Sequence, residues 1–486
     1  MLRFDPEPAG ADPRYLRLRD ACVDRSLTAL LESPRGPIDV ERLAGIVALD
    51  TTGVVERTPF QAIGRVRPGV AGEFDGRHWH YARAAPTRPA GSTPSRSSQP
   101  GLLRDALKGA VGRAMGNARR VAVFGGGGVD SSVILALANE VAKERGSDVV
   151  PIALDCGGPG DDRPHLAVLA KALGLKPVLV PPALGGGYLR SAFLLDSAPC
   201  PWPSSPYDHA LAFAAKDVGA EVALDGTEGD FIFGGVPAFD AAIRREGLAR
   251  SASYAATFEP SWGYSKPRRV FEFLVRPALV DRAPRALRAA VRRRRILRRV
   301  PWAGRVLRAH LMALADEVAP RFAPERQVYF MQAARFAEIA ALRVGLERLA
   351  GIRFAQPLMD AAVLDFVAAL EPYELAHNGR LRGLLRESVR GLVPDSVRLR
   401  PDKFEHEGAM LAAVEAGGGF AALRDLASVS RCADLGLVEP KRFEAEYWAL
   451  ANDPLGEARD WSRIWSMLSV EAFLANEDRA DGKGAQ

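Results

Sequence analysis

The run Val121-Ala-Val-Phe-Gly-Gly-Gly-Gly-Val-Asp130-Ser-Ser-Val-Ile-Leu135 constrains this chain more than any other stretch. An apolar strand runs into four glycines; an Asp and two Ser follow, and a helix-like pattern opens at Val133. Glycines let a backbone turn sharply and approach a ligand with no Cβ in the way. The helix behind them presents unpaired N–H groups at its positive end, which suits phosphate. A carboxylate among those donors suits an anion only through a cation such as Mg²⁺. The run points to a Mg²⁺–nucleotide or pyrophosphate site at the carboxyl end of a parallel strand. The Walker A pattern is excluded because no Lys follows the glycines. The dinucleotide fingerprint is excluded because Asp130 stands where its third Gly belongs. A glycine-rich turn that only packs tightly remains open on the loop alone.

A chain of 486 residues predicts two or three domains. With 48% hydrophobic and 26% charged residues it has an ordinary globular balance. A net charge of +6 is too mild at this length to argue for nucleic acid. Cys22, Cys156, Cys200 and Cys432 are scattered with no CxxC, so they read as reduced thiols rather than disulfides or a zinc site. His78 and His80 have no acidic or Cys pattern to complete a metal site. No signal peptide and no apolar run near twenty residues is present. The expectation is a cytoplasmic protein with no membrane partner and no nucleic acid.

Along the chain, 1–83 holds a helix-like stretch (13–31) and strand-like pieces at 46–49 and 70–74. Residues 84–100 are rich in Pro, Ser and Thr and read as a linker. A helix-like segment, 101–116, leads into the glycine loop. Strands at 121–124, 149–154, 177–180 and 221–224 then alternate with helices at 132–144, 164–172 and 207–218, with a Pro- and Ser-rich loop at 198–206. Alternating βα order predicts an α/β fold with a doubly wound parallel sheet. Beyond about residue 240 the patterns look helical almost throughout. The arginine-rich segment 282–299 reads as a solvated helix face or a mobile loop, or else as a docking surface for an acidic peptide or polyanion. It lacks the interleaved aromatics that stack bases.

A second strand ends in an acidic glycine turn, Asp225-Gly-Thr-Glu-Gly-Asp230-Phe-Ile-Phe-Gly-Gly235. Parallel strands of one sheet put their carboxyl ends along one edge, so Asp230 can face Asp130 across a crevice. Two carboxylates there can hold one Mg²⁺ bridging phosphates. Asp as the cap of a tight turn is the other reading. Downstream, Leu399-Arg-Pro-Asp-Lys403-Phe-Glu-His-Glu-Gly408 places a scarce Lys in a polar loop. Lys403 reads as a solvated surface cation or as an ammonium that stabilises charge on a phosphate or oxyanion.

Together these residues resemble the asparagine synthetase-like branch of the ATP pyrophosphatases. The family loop Ser-Gly-Gly-x-Asp-Ser-Ser is matched by Gly126-Gly-Gly-Val-Asp130-Ser131-Ser132. Its Gly-x-Gly-Gly-Asp-Glu-Leu-Phe-Gly-Gly is matched by Gly226-Thr-Glu-Gly229-Asp230-Phe-Ile-Phe-Gly234-Gly235. Asp161-Asp-Arg-Pro-His165, Gln356-Pro-Leu-Met-Asp360, Gly379-Arg-Leu-Arg-Gly-Leu-Leu-Arg386, Leu392-Val-Pro-Asp395 and Trp465-Ser-Met-Leu-Ser-Val-Glu471 follow in the family's order, over roughly residues 100–476. The resemblance implies an adenine nucleotide α-hydrolase-like fold with a helical C-terminal part. It also implies a carboxylate activated by ATP as an acyl-adenylate, with pyrophosphate released and an amine attacking to form an amide. By position, Asp130 and Asp230 would hold Mg²⁺. Gly126, Gly127, Gly128, Asp130, Ser131 and Ser132, with Gly226 and Gly229, would cradle ATP. Lys403 would be catalytic.

The chain departs from the family pattern in several places. Gly126 stands for Ser, Phe231 for Glu, and Arg353 for a Glu that often handles protons. Thr227 stands where β-lactam synthetases carry Tyr, although Lys403 with His406-Glu-Gly408 is similar to that subfamily. Glutamine-dependent members carry Cys at position 2 as an N-terminal nucleophile; this chain has Leu2. The resemblance therefore implies a truncated, degenerate glutaminase remnant at 1–83, a linker at 84–100, a synthetase domain at 101–476 and a flexible tail at 477–486. The subfamily pattern is nearest to lasso-peptide macrocyclases. The expected partners are a carboxylate substrate, foremost a precursor peptide, and a companion protease or leader-binding protein. An asparagine synthetase-like ligase using ammonia, and a nucleotide-binding pseudoenzyme scaffold, are the alternatives.

Overall fold

A computed structural model of the chain describes residues 2–480 except 6–11, 33–34, 50–55, 68–70, 77, 82–93, 126, 158–160, 183–187, 234–238, 260–263, 317–333, 372, 402–405 and 457–459. Ahead of the α/β alternation lie six short strands: β1 (Leu2–Phe4), β2 (Tyr15–Arg17), β3 (Val23–Asp24), β4 (Ile63–Arg65), β5 (Gly72–Phe74) and β6 (Trp79–Tyr81). They form two antiparallel sheets, β1-β5-β6 and β3-β2-β4.

Two N-terminal segments differ from the expectation. Residues 13–31 are not one helix: Arg17 clamps Asp20 through Nε and Nη2 at 2.9 and 2.7 Å. Ala21 takes a φ of 60°, which closes the turn between β2 and β3. Residues 46–49 are not a strand either. Asp39 accepts a hydrogen bond from Arg42 N at 2.9 Å and caps the helix Val40–Ala48, whose Leu43, Ala44 and Val47 are buried. A short apolar run cannot by itself separate strand from buried helix.

The central sheet is built from β7 (Arg120–Phe124), β8 (Asp148–Leu154), β9 (Val178–Val180), β12 (Val222–Leu224) and β13 (Arg353–Ala355); a small hairpin, β10 (Leu194–Leu195) and β11 (Ala198–Pro199), falls between β9 and β12. All neighbours in the order β13-β12-β7-β8-β9 are parallel. The first strand in the chain is thus central. The chain winds outward through β8 and β9, then returns to add β12 and β13 on the other side. The winding reverses between β7 and β12, and open parallel sheets bind ligands at such a switch point. Both faces are covered, so successive residues go to opposite cores. Val121, Val123, Val222 and Leu224 pack with the helices Gln99–Met115 and Val129–Arg145, while Ala122, Ile152, Ala223 and Phe354 join the core of Ser205–Asp217. The sequence pattern misses β13 because Arg353-Phe-Ala355 is three residues long and opens on a charge.

The helix Gln99–Met115 begins two residues inside the expected linker. At the other end, the helix Trp461–Ala480 runs past residue 477, where a tail was expected, and Glu477 is buried against Arg35 at 2.5 Å. Arg285–Arg299 forms a helix with no buried residue. No described helix is long and apolar enough to cross a membrane.

The N-terminal part docks on the helix Ala334–Ala350 through charge. Glu338 accepts from Arg42 at 2.5 Å and from Arg65 at 2.8 Å, and all three are largely buried. Arg343 pairs with Asp12 at 2.6 Å and Glu347 with Arg25 at 3.0 Å.

Candidate functional site

Two loops leave the sheet at the switch point. The first carries Gly125, Gly127 and Gly128 from β7 into the helix Val129–Arg145; Gly126 lies outside the described residues. Gly125 N donates to Ile152 O at 3.0 Å, tying the loop to β8. Gly127 has a φ of +102°, and a Cβ there would fall 2.7 Å from Leu166 N. Ser131 Oγ donates to Gly128 O at 3.1 Å. Ser132 is buried, and its Oγ has no hydrogen-bond partner among the described residues.

The second loop follows β12. Thr227 N donates to Asp225 Oδ1 at 2.8 Å, and Glu228 takes a φ of 70° just ahead of the turn holding Asp230. Gly226 and Gly229 press on the first loop. A Cβ at Gly226 would meet Ser131 N at 2.8 Å, and one at Gly229 would meet Asp130 Cγ at 2.3 Å. Their bareness lets the loops touch, which brings Asp130 and Asp230 together. Gly229→Ala should therefore part the loops and lower nucleotide-dependent turnover by about 100-fold, the scale of a 1 Å misplacement; a circular dichroism spectrum would remain native.

The two carboxylates converge on one cation already in the fold. Arg382 Nη1 lies 2.7 Å from Asp130 Oδ2 and 2.6 Å from Asp230 Oδ1. Burial would lower the Arg382 pKa, but Asp130 and Asp230 outweigh it and raise it. Arg382 is aimed by a tight turn. It has a φ of 55°, caps the helix Gly383–Ser388, and follows Gly379 at φ 72°. Two hard oxygen donors meeting at one point fit Mg²⁺, which takes one or two carboxylates and completes its shell with phosphates and water. Among the described residues no group of three or more His, Cys, Asp or Glu could hold a metal.

Further cations ring the first loop. Buried Arg400 donates to Gly127 O at 3.2 Å and pairs with Asp162. Arg386 donates to Arg400 O at 3.1 Å. Burial and the nearby Arg382 push its pKa down to about 10, so it remains charged at neutral pH. Lys403 lies outside the described residues, while Arg400 and Glu407 on either side of it reach the loop and the cavity. Arg353 stands elsewhere. It opens β13 at the amino edge of the sheet and donates to Ala114 O at 2.6 Å, so the carboxyl edge of that strand meets the site through Gln356.

From the loops a cavity of about 780 Å³ runs across the strand ends. Asp130, Ser131, Asp230 and Arg382 border it, as do Trp202, Leu211, Leu342 and Met410. Asp208, Asp225 and Glu407 also line it. Burial and the neighbouring Asp225 raise the Asp208 carboxyl to about 7, against the opposing Ser204 hydroxyl. The sequence reading gave no role to Asp208, Arg382 or Arg400. The arginine-rich helix does not border the cavity.

A glycine loop before a helix, a second acidic loop beside it and a cavity at the switch point define a nucleotide-dependent α/β enzyme. Residues 102–475 match the asparagine synthase family, and the chain belongs to it. The family consists of ATP-binding ligases that form amide bonds. Comparison with curated proteins finds no match.

Proposed function

We propose that this ligase activates a carboxylate of a precursor peptide as an acyl-adenylate and joins it to an amine of the same peptide, closing a ring. The observation that carries the reading is the cavity. One end is bordered by Gly128, Asp130, Ser131 and Asp230. The same space extends along an apolar wall of Trp202, Leu211, Leu342, Leu346 and Met410, large enough for a side chain and a peptide end beside a nucleotide. Asp130 and Asp230 would hold Mg²⁺, which supplies neutralisation of phosphate charge when bound. The amino end of the helix Val129–Arg145, which no side chain caps, would offer its N–H groups to pyrophosphate. Arg382, Arg386 and Arg400 supply cationic groups beside the loops that offset the carboxylates of Asp130, Asp162 and Asp230. Lys403 is proposed to stabilise charge on the reacting acyl or phosphoryl group, which typically changes rate on the order of 100-fold or more. A companion protease or leader-binding protein would deliver the peptide.

The test combines ATP–pyrophosphate exchange with mass spectrometry of a candidate precursor peptide, sought among short open reading frames beside the gene. Exchange that depends on the peptide, with loss of one water from its mass, is the expected result. Amide formed only from ammonia and aspartate would overturn the peptide assignment. Nucleotide binding with no turnover of any acid would overturn the ligase reading itself.

A further inference from the structure

We propose that Asp208 is the catalytic base of this ligase: its carboxylate, on the cavity wall, takes the proton that the attacking amine must lose. The inference rests on the adenylate reading above and adds a residue to it.

Asp208 lies in the first turn of the helix Ser205–Asp217, which packs between β8 and the helices Ala334–Ala350 and His406–Ala416. The same helix face buries Leu211, Ala212 and Ala215, so a carboxylate there loses most of its water. It keeps part of its surface open, and that part borders the cavity. Besides Asp130, Asp162, Glu228, Asp230 and Arg382, the charged groups that line this space with it are Asp225 after β12, Glu407 from His406–Ala416 and Arg343 from Ala334–Ala350. Arg343 is engaged by Asp12 at 2.6 Å and by Glu347 at 3.5 Å. Among the described residues Asp208 has no salt-bridge partner.

The other acids of the cavity have duties. Asp130 and Asp230 share Arg382. Asp225 accepts from Thr227 N at 2.8 Å and from Gln356 at 3.4 Å. Glu228 is buried and Glu407 is exposed to solvent. Among the described acids of the cavity, Asp208 combines a dry wall and an opening to the cavity with neither a salt bridge nor a backbone N–H donor such as the one that holds Asp225. A carboxyl group at about 7 is also the right acceptor. Taking a proton from an α-ammonium is then uphill by roughly tenfold, against roughly 10⁴-fold for an ordinary Asp.

The step balances without further reactants. The ammonium gives one proton to the Asp208 carboxylate. The freed amine forms a C–N bond to the acyl carbon as the bond from that carbon to the AMP phosphate oxygen breaks, and AMP leaves with the electron pair. The second nitrogen proton goes to solvent. Asp208 then returns its proton to water.

The experiment uses the full chain, ATP, Mg²⁺ and the precursor peptide that supports exchange in the native chain, with Asp208→Asn. Pyrophosphate exchange should stay within about threefold of native while amide formation falls by about 100-fold or more. Hydroxylamine, a weakly basic amine that arrives unprotonated at neutral pH, should restore product as the hydroxamate. The native amide rate should fall as pH drops through about 7, and the variant should lack that limb. Asp225→Asn removes the neighbouring charge and should move the limb to lower pH. Native-like amide formation by Asp208→Asn overturns the assignment. So does equal loss of exchange, hydroxamate and amide, which marks a structural role. No exchange by the native chain overturns the adenylate reading and this assignment with it.

Discussion

Asp230→Asn should abolish pyrophosphate exchange, with a drop of at least about 100-fold, and leave the fold intact. Asp230 has a side chain 47% exposed, so neutralising it costs little packing, yet it supplies one of the two oxygens that meet at Arg382 Nη1. Removing it halves the anionic charge available to a divalent cation. Asp130 would then be the one carboxylate left of the pair, and one lost charge of this kind changes a barrier by about 3 kcal/mol. Asp130→Asn should be at least as severe and should also lower the melting temperature, because the Asp130 side chain is only 15% exposed and Arg382 only 12%. A buried guanidinium stripped of a partner costs on the order of 3 kcal/mol. Isotope exchange and a thermal melt on both variants separate the two effects. Full exchange by either variant would defeat the metal assignment.

Glu338→Gln should destabilise the whole chain by about 3–5 kcal/mol, the scale for opening a buried ion cluster by removing one member. Arg42 and Arg65 would lose the carboxylate that both share. Acid should do the same more gently. Burial by itself would raise the Glu338 pKa, but Arg42 and Arg65 outweigh it and hold the carboxyl at about 2, below its ordinary 4.5. The folded state therefore binds the proton less readily than the unfolded one. The stabilisation is complete above about pH 4.5 and is lost as pH falls through about 2. Denaturant titrations at several pH values should follow that course in the native chain, whereas the Gln variant, already weakened, should lack this component.

The inner strands of the parallel sheet were legible because they are largely buried: Val121–Phe124 and Val149–Leu154 read as unbroken apolar runs between turn signals. The first loop was legible because glycine clusters and helix starts leave local marks. The N-terminal part was not. Its strands are two or three residues long and carry Arg17, Asp24 and Arg65, so their apolar spacing mimics a helix while ion pairs and a left-handed Ala21 decide the path. In the site, Arg382 was hidden by distance. It is 252 positions from Asp130, and no spacing rule joins them. Asp208 did leave a signal. It shares a helix stripe with Leu211, Ala212 and Ala215, and a carboxylate on an apolar stripe is a buried acid waiting for a reason. Arg353 taught the converse: a departure from a family pattern need not fall in the site, since β13 carries it to the far edge of the sheet.

The helix Ala334–Ala350 is a party wall. It is gripped from the N-terminal part through Glu338, Arg343 and Glu347. Arg343 itself, with Ile339, Leu342 and Leu346, also lines the cavity. Neighbouring turns of one helix cannot move independently, so the position of this cavity wall is tied to a region that contributes no group to the two glycine loops. A shortened chain that begins at the linker would keep the wall but lose the ion pairs from Asp12, Arg25, Arg42 and Arg65 that brace it.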